Sequence, residues 1–316
     1  MTGSMLPLVG EGLNAAFRLH RPWEASDREA ALTAAAPTVR GIAASSGHGR
    51  IDAAALDRFP KLEIIANFGV GYDNIDAAEA GRRGILVTNT PDVLNEEVAD
   101  TALALLLMAV RQLPQADRYL RAGRWLEKPF PLSASLRGRT AGIVGLGRIG
   151  KAIAKRLEAC GVGIAYHNRR PAADVAYPYH DTLVGLARAV DILVVVTPGG
   201  PETTNLVNAE VLAALGSDGI LINVARGTVV DEPALIEALR SRTILTAGLD
   251  VFAEEPKVPQ ELIAMEHVVL LPHVGSASVK TRDAMGQLVV DNLVSYFSGR
   301  GPLTPVTETP WRGRVA

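Results

Sequence analysis

The chain has 316 residues, beyond the size at which one hydrophobic core usually keeps growing, so two domains are expected. Hydrophobic residues make up 48% and charged residues 21%, and 32 Lys and Arg stand against 34 Asp and Glu. That near balance, with no clustered basic tract, gives no general field for nucleic acid or a membrane surface, so a small anion would have to be held by a few local cations.

At the start of the chain Glu11 and Arg18 interrupt any apolar run, and no signal peptide is expected there. Short apolar, β-rich runs then alternate with amphipathic helical stretches. Candidate strands run 62–67, 141–144, 163–166, 192–196, 220–224, 245–249 and 268–271. They are continuous rather than alternating, as strands covered on both faces should be. Candidate helices between them run 149–160, 182–189 and 233–239. This rhythm predicts α/β architecture with doubly wound parallel sheets.

Two longer helical stretches look like crossings between domains. One runs from about Glu96 to Gly123 with a break near Pro114, and the other covers about 279–298 and ends at Gly299. They predict a discontinuous domain, 1–97 plus 281–316, with a second domain, 98–280, inserted in it. The longest apolar stretch, 102–110, is too short to span a bilayer and reads as a fully buried helix at a domain or subunit interface. The one cysteine, Cys160, excludes a disulfide within the chain, reads as a small apolar residue near a helix end, and fits the cytoplasm.

Residues 145–150 read Gly-Leu-Gly-Arg-Ile-Gly, a G-x-G-x-x-G match between a candidate strand and a candidate helix. Gly145 permits a tight turn, Gly147 lets backbone approach a pyrophosphate, and Gly150 lets helix and strand pack closely. The following helix N-terminus offers N–H groups to phosphates. The next strand ends at Asn168-Arg169-Arg170. NAD-binding folds usually place an acid here for the adenine ribose. Asn168 does not repel a 2′-phosphate and the two guanidinium groups can pair with one, which favours NADP(H), with NAD(H) as the alternative.

Three more strand ends carry reactive groups: Arg226 after 220–224, Asp250 and Glu255 after 245–249, and His273 after 268–271. Ligands bind at such carboxyl ends. Arg226 can bridge a carboxylate and a carbonyl oxygen, and His273 can deliver a proton. Glu255 can bond the other ring nitrogen of His273, fixing its tautomer and favouring imidazolium. Taken singly, Arg226 could equally pair with Asp231 or Glu232, Glu255 could be solvated, and His273 could be a packed loop histidine. Their convergence favours a reaction centre that reduces a small 2-oxo acid by hydride transfer.

These segments, with 67–76 (NFGVGYDNID), Glu97-Val98-Ala99-Asp100 and 272–276, resemble the D-isomer-specific 2-hydroxyacid dehydrogenase family over nearly the whole chain from about Leu62. The resemblance implies two Rossmann-like domains, the outer one binding substrate and the inserted one binding NAD(P). It implies that Arg226, Glu255 and His273 are the catalytic trio. It gives Val70 and Gly71 to the loop whose backbone N–H groups hold the substrate carboxylate. Arg148 and Ile149 fall on pyrophosphate-contacting positions, Asp250 on the one that bonds the nicotinamide amide, Thr197 on the loop along the cofactor, and Val224 beside the nicotinamide end. No metal is implied. A homodimer closing a cleft between its domains is implied, with the helix near 101–110 at the dimer core. Within the family the segment 167–170 looks most like NADPH-dependent glyoxylate/hydroxypyruvate or hydroxyphenylpyruvate reductases. The alternatives are an NAD-linked dehydrogenase of the phosphoglycerate or lactate type and a nucleotide-sensing, corepressor-like binding protein.

Overall fold

The computed structural model describes residues 1–313. The chain divides into two compact units, Met1–Leu94 with Ser278–Ala316, and Asn95–Ala277. Each crossing lies three residues before the position expected from sequence. The reason is local: Asn95 opens a helix, and Ser278 caps another by accepting from the Thr281 N–H, so the chain passes over at helix starts and not inside helices.

The first unit begins with α1 (Pro7–Ala16) and α2 (Arg28–Ala35). It continues through β1 (Gly41–Ser45), α3 (Ala53–Asp57), β2 (Ile64–Phe68), α4 (Ala77–Arg82) and β3 (Leu86–Thr88). The three strands form a parallel sheet in the order β1-β2-β3. Alternate side chains feed two cores. Ile42, Ala44 and Ile65 pack with Leu56 of α3 and Ala80 of α4; Ala43, Ile64 and Ala66 pack with Val9 and Leu13 of α1.

The second unit opens with α5 (Asn95–Arg111) and α6 (Leu113–Arg121). The break between them falls at Gln112, held at φ 52°, with Pro114 in the first turn of α6, where its missing N–H costs nothing. Then come β4 (Thr140–Val144), α7 (Arg148–Ala159), β5 (Gly163–His167), α8 (Leu183–Ala189) and β6 (Ile192–Val195). Next are α9 (Ala209–Leu215), β7 (Ile220–Asn223), α10 (Glu232–Arg240), β8 (Thr246–Leu249), α11 (Gln260–Ala264) and β9 (Val269–Leu270). The six strands are all parallel, in the order β5-β4-β6-β7-β8-β9. The winding reverses at β4, the mark of a doubly wound, Rossmann-like sheet.

Strands β6 and β7 are buried throughout because helices cover both faces. Leu193, Val195 and Leu221 enter a core with α8, α9 and α10, while Ile192, Val194, Ile220 and Ile222 enter one with α5 and α7. The helix α5 is not buried all round, as its apolar run had suggested. Leu105, Leu106, Ala109 and Val110 face the sheet, but Ala104 is exposed and Leu103, Leu107 and Met108 are only partly covered. Cys160, the residue after α7, is likewise half-buried. The chain then returns to the first unit as α12 (Val279–Phe297), whose Val289, Val290 and Leu293 close the core around Val9 and Leu13. Among the described residues no helix is long and apolar enough to cross a membrane.

Candidate active site

The register of the six-stranded sheet places the candidate residues along one edge. Val144, His167, Val195, Asn223, Leu249 and Leu270 pair in a single row across the sheet. All strands run the same way, so the residues just beyond this row emerge on the same side. They are Gly145, Asn168, Thr197, Val224 with Arg226, Asp250 and His273.

The reversal at β4 marks, between the ends of β4 and β6, the place where an open α/β sheet forms its binding crevice. Gly145 lines it at φ 101°, and a methyl group there would lie 2.9 Å from the Thr197 backbone. A methyl group on Gly150 would lie 2.4 Å from the Gly145 carbonyl oxygen, which explains the third glycine as a packing requirement. At Gly147 nothing stands within 4 Å, so the backbone before α7 is open to approach. Gly147 caps α7 without a side chain, and Arg148 and Ile149 form its first turn. An open glycine before an uncapped helix start suits a pyrophosphate. These residues fit a dinucleotide.

Asn168 has a use that sequence reasoning missed. Its Oδ1 accepts from the Leu146 N–H at 2.7 Å, tying the end of β5 to the glycine loop. Tyr179 Oη donates to its carbonyl at 3.2 Å. Arg169 is 92% exposed and 3.4 Å from Glu202, and Arg170 is exposed too. Both cations stand next to a strand end that carries no acid.

Arg226 follows a turn held by Asn223, which is buried; its Oδ1 accepts from Ala225 N–H and its Nδ2 donates to the Arg226 carbonyl, each at 3.0 Å. The Arg226 guanidinium donates to the Ala225 carbonyl at 2.8 Å. At Gly227 an added methyl group would fall 1.8 Å from the Phe252 carbonyl carbon, so the loops after β7 and β8 touch backbone to backbone. Val224 is half-buried beside them.

The loop after β8 returns Glu255 toward its own start, where Oε1 accepts from the Phe252 N–H at 3.1 Å. Its Oε2 lies 2.7 Å from His273 Nδ1. With the carboxylate accepting, Nδ1 carries the hydrogen and Nε2 remains for a substrate oxygen. Burial pushes the Glu255 carboxyl up. The His273 hydrogen bond and charge, the Phe252 N–H and the nearby Arg226 guanidinium outweigh this and hold it below the ordinary value. His273 itself sits at φ 54°, a left-handed conformation that must be held from outside.

Asp250 holds it. Its carbonyl accepts from the His273 N–H at 2.8 Å, Oδ1 from Val274 N–H at 2.7 Å, and Oδ2 from Gly275 N–H at 2.8 Å. Asp250 is 2% exposed, and burial leads the causes that raise its carboxyl above the ordinary value. Besides the place beside the nicotinamide amide that the resemblance implies for it, Asp250 thus serves the His273 turn. Among the described residues no group of three or more His, Cys, Asp and Glu side chains could hold a metal ion.

In the first unit, Val70 and Gly71 follow β2 in a turn whose carbonyls are tied inward. Asn67 Nδ2 donates to the Gly69 and Gly71 carbonyls at 3.3 and 2.9 Å, and Asn89 Nδ2 donates to the Val70 carbonyl at 2.9 Å. The N–H groups of Val70 and Gly71 have no acceptor among the described residues. Sequence reading included Asn67 in the matching segment 67–76 without a role and passed over Asn89. Their only signal was polarity at a strand end, where a loop residue is commonplace.

A glycine-turned phosphate crevice, with arginine, carboxylate and imidazole further along the same sheet edge, defines a dinucleotide-dependent oxidoreductase. The family profile described as D-isomer specific 2-hydroxyacid dehydrogenase, NAD binding domain, matches residues 103–275. Glyoxylate/hydroxypyruvate reductase A of Arabidopsis thaliana is 47% identical over 92% of this chain and 92% of its own. Hydroxyphenylpyruvate reductase of Plectranthus scutellarioides is 46% identical over 96% of each chain. The crystal structure of the NADPH-dependent glyoxylate/hydroxypyruvate reductase of Sinorhizobium meliloti, in complex with NADP and malonate, matches with a TM-score of 0.92. It is 56% identical and covers 99% of this chain and 98% of that one. The protein belongs to the D-isomer-specific 2-hydroxyacid dehydrogenase family.

Proposed function

We propose that the protein reduces a small 2-oxo acid of the glyoxylate or hydroxypyruvate type to the D-2-hydroxy acid at the expense of NADPH. The observation that carries this reading is the 2.7 Å contact between Glu255 Oε2 and His273 Nδ1, with Arg226 close enough to bias Glu255, on the sheet edge that also bears the glycine loop. The similar reductases named above support the substrate class, and the NADP complex of one of them supports the cofactor.

A reduced nicotinamide held at this sheet edge would supply the hydride. In the first unit the N–H groups of Val70 and Gly71 suit the substrate carboxylate, and in the second the Arg226 fork suits polarisation of a carbonyl. His273 would give its Nε2 proton to the substrate oxygen, and Glu255, in contact with Nδ1, orients the ring for it. Asp250 and Asn223 hold the histidine and arginine loops. The glycine loop, Arg148 and Ile149 take the pyrophosphate, Thr197 and Val224 flank the cofactor, and Asn168, Arg169 and Arg170 receive the 2′-phosphate. We also propose a homodimer that covers the exposed apolar side chains Trp125, Leu126 and Leu132, and a cytoplasmic location, since a chain with one cysteine needs no oxidising compartment.

The test is the initial rate of NADPH oxidation across a panel of 2-oxo acids, repeated with equal NADH and with His273→Gln. Glyoxylate or hydroxypyruvate should lead the panel, NADPH should outpace NADH, and the variant should lose about 10²–10⁴-fold in turnover with NADPH binding retained. Faster turnover with NADH would overturn the cofactor assignment. Undiminished turnover in the variant would overturn the proton donor.

A further inference from the structure

The turn at Val70 is the end of a polar chain that runs through the interior of the first unit to α12. Asn292, on α12, is 0% exposed. Its Oδ1 accepts from the N–H groups of Leu303 and Thr304 at 2.9 and 3.0 Å, and its Nδ2 donates to the Leu288 carbonyl at 2.8 Å and to Thr304 Oγ1 at 2.9 Å. Thr304 Oγ1 in turn donates to the Asn89 carbonyl at 2.7 Å, and the Asn89 N–H returns a 3.3 Å bond to the Thr304 carbonyl. Asn89 Nδ2 then donates to the Val70 carbonyl at 2.9 Å. Each amide and hydroxyl group in the chain has at least one partner, which restrains its arrangement.

The consequence follows from peptide geometry. The carbonyl of Val70 and the N–H of Gly71 share one planar unit and point in opposite directions. Pulling the Val70 carbonyl toward Asn89 therefore turns the Gly71 N–H away from it. Asn67 does the same to the next peptide through the Gly71 carbonyl, and with Thr90 N–H to the previous one through the Gly69 carbonyl at 3.0 Å, which turns the Val70 N–H outward. Two successive N–H groups held this way make a concave anion site without any cation.

We propose that Asn89, anchored through Thr304 to Asn292, is a positioning residue for the substrate carboxylate. It rests on the reading that the N–H groups of Val70 and Gly71 take that carboxylate. It touches neither substrate nor cofactor. It fixes the direction of one peptide group, and its removal leaves that group to find its own orientation, which weakens carboxylate binding and leaves hydride and proton transfer alone.

The test uses the full-length protein, Asn89→Asp and Thr304→Val. Asn89→Asp keeps side-chain size and opens no cavity but cannot donate to the Val70 carbonyl; because it adds a negative charge near the anion site, uncharged Asn89→Leu is measured beside it and should raise KM by the same factor. KM for glyoxylate should rise about tenfold, comparable to losing one amide–carboxylate hydrogen bond. The turnover number and the NADPH dissociation constant should stay within about twofold, a split that general loosening of the fold would not give. Thr304→Val, one link further back, should raise KM by a smaller factor, about threefold. Should Asn89→Asp not fold, the threefold rise in Thr304→Val carries the test, and an unchanged KM there overturns the proposal. The underlying reading is checked separately in the unmutated protein with NADP bound. The amide resonances of Val70 and Gly71 should move on titration with malonate. If they move and KM is unchanged in all three variants, the positioning role is wrong and the carboxylate site stands. If they do not move, the site reading fails and the positioning proposal falls with it.

Discussion

Glu255 shows how much one hydrogen bond decides at the level of a residue. Its carboxylate lies 2.7 Å from His273 Nδ1, and both side chains are partly exposed, 34% and 40%. In Glu255→Gln the ring loses the anion beside Nδ1 that orients it for proton delivery. The turnover number for 2-oxo acid reduction should therefore fall, by up to about 10²-fold, read from initial rates at saturating NADPH. An unchanged rate would remove Glu255 from the proton-donor assignment. The same residue affects stability. Its carboxyl is held below the ordinary value of 4.5, so its stabilisation is present above that value and is lost as pH falls through the folded one. Asp250 runs the other way: its carboxyl is raised above 3.8, so the folded state gains from protonating it as pH falls through the raised value. The acid-side fall in melting temperature should thus be shallower in Glu255→Gln.

At the level of elements, the loops after β7 and β8 act as one piece. At Gly227 a methyl group would sit 1.8 Å from the Phe252 carbonyl carbon, with backbone and not a flexible side chain as the obstacle. Gly227→Ala should cost at least about 1–3 kcal/mol in denaturant unfolding, the usual range for an overpacked core. It should depress turnover more than NADPH affinity, since Arg226 and Glu255 shift and the glycine loop at 145–150 does not. A variant with normal stability and rate would show that the two loops need not touch. The elements also show which local signals were legible. The continuous apolar runs of β6 and β7 announce buried parallel strands. β1 and β3 were passed over, because Gly-Ile-Ala-Ala-Ser has little β preference and Leu86–Thr88 is three residues long. Both become strands only by pairing with β2.

For the molecule as a whole, the segment after α6 leaves large apolar side chains in water: Trp125 is 67% exposed, Leu126 94% and Leu132 100%. Leu103, Leu107 and Met108 of α5 are also only partly covered. Apolar groups concentrated in one arm mark an association surface. Sedimentation should give twice the 33.4 kDa chain mass, and Leu126→Glu should shift the distribution toward the single chain. A protein that sediments as one chain without substitution would refute the dimer.

Sequence by itself determined the parallel α/β class, the glycine loop between a strand and a helix, and the place of Arg226, Glu255 and His273 past strand ends, because each depends on chain-local order: apolar period, glycine spacing, and position just past a strand. Tertiary structure alone decided what the intervening polar residues do. Asn168 bonds Leu146, Asp250 clamps the His273 turn, and Asn292 reaches Asn89 through Thr304, each across a gap in sequence of 22 residues or more except the step from Asn292 to Thr304. A buried amide or carboxylate must find a partner, but which one is set by the folded path of the chain, and no local pattern records it.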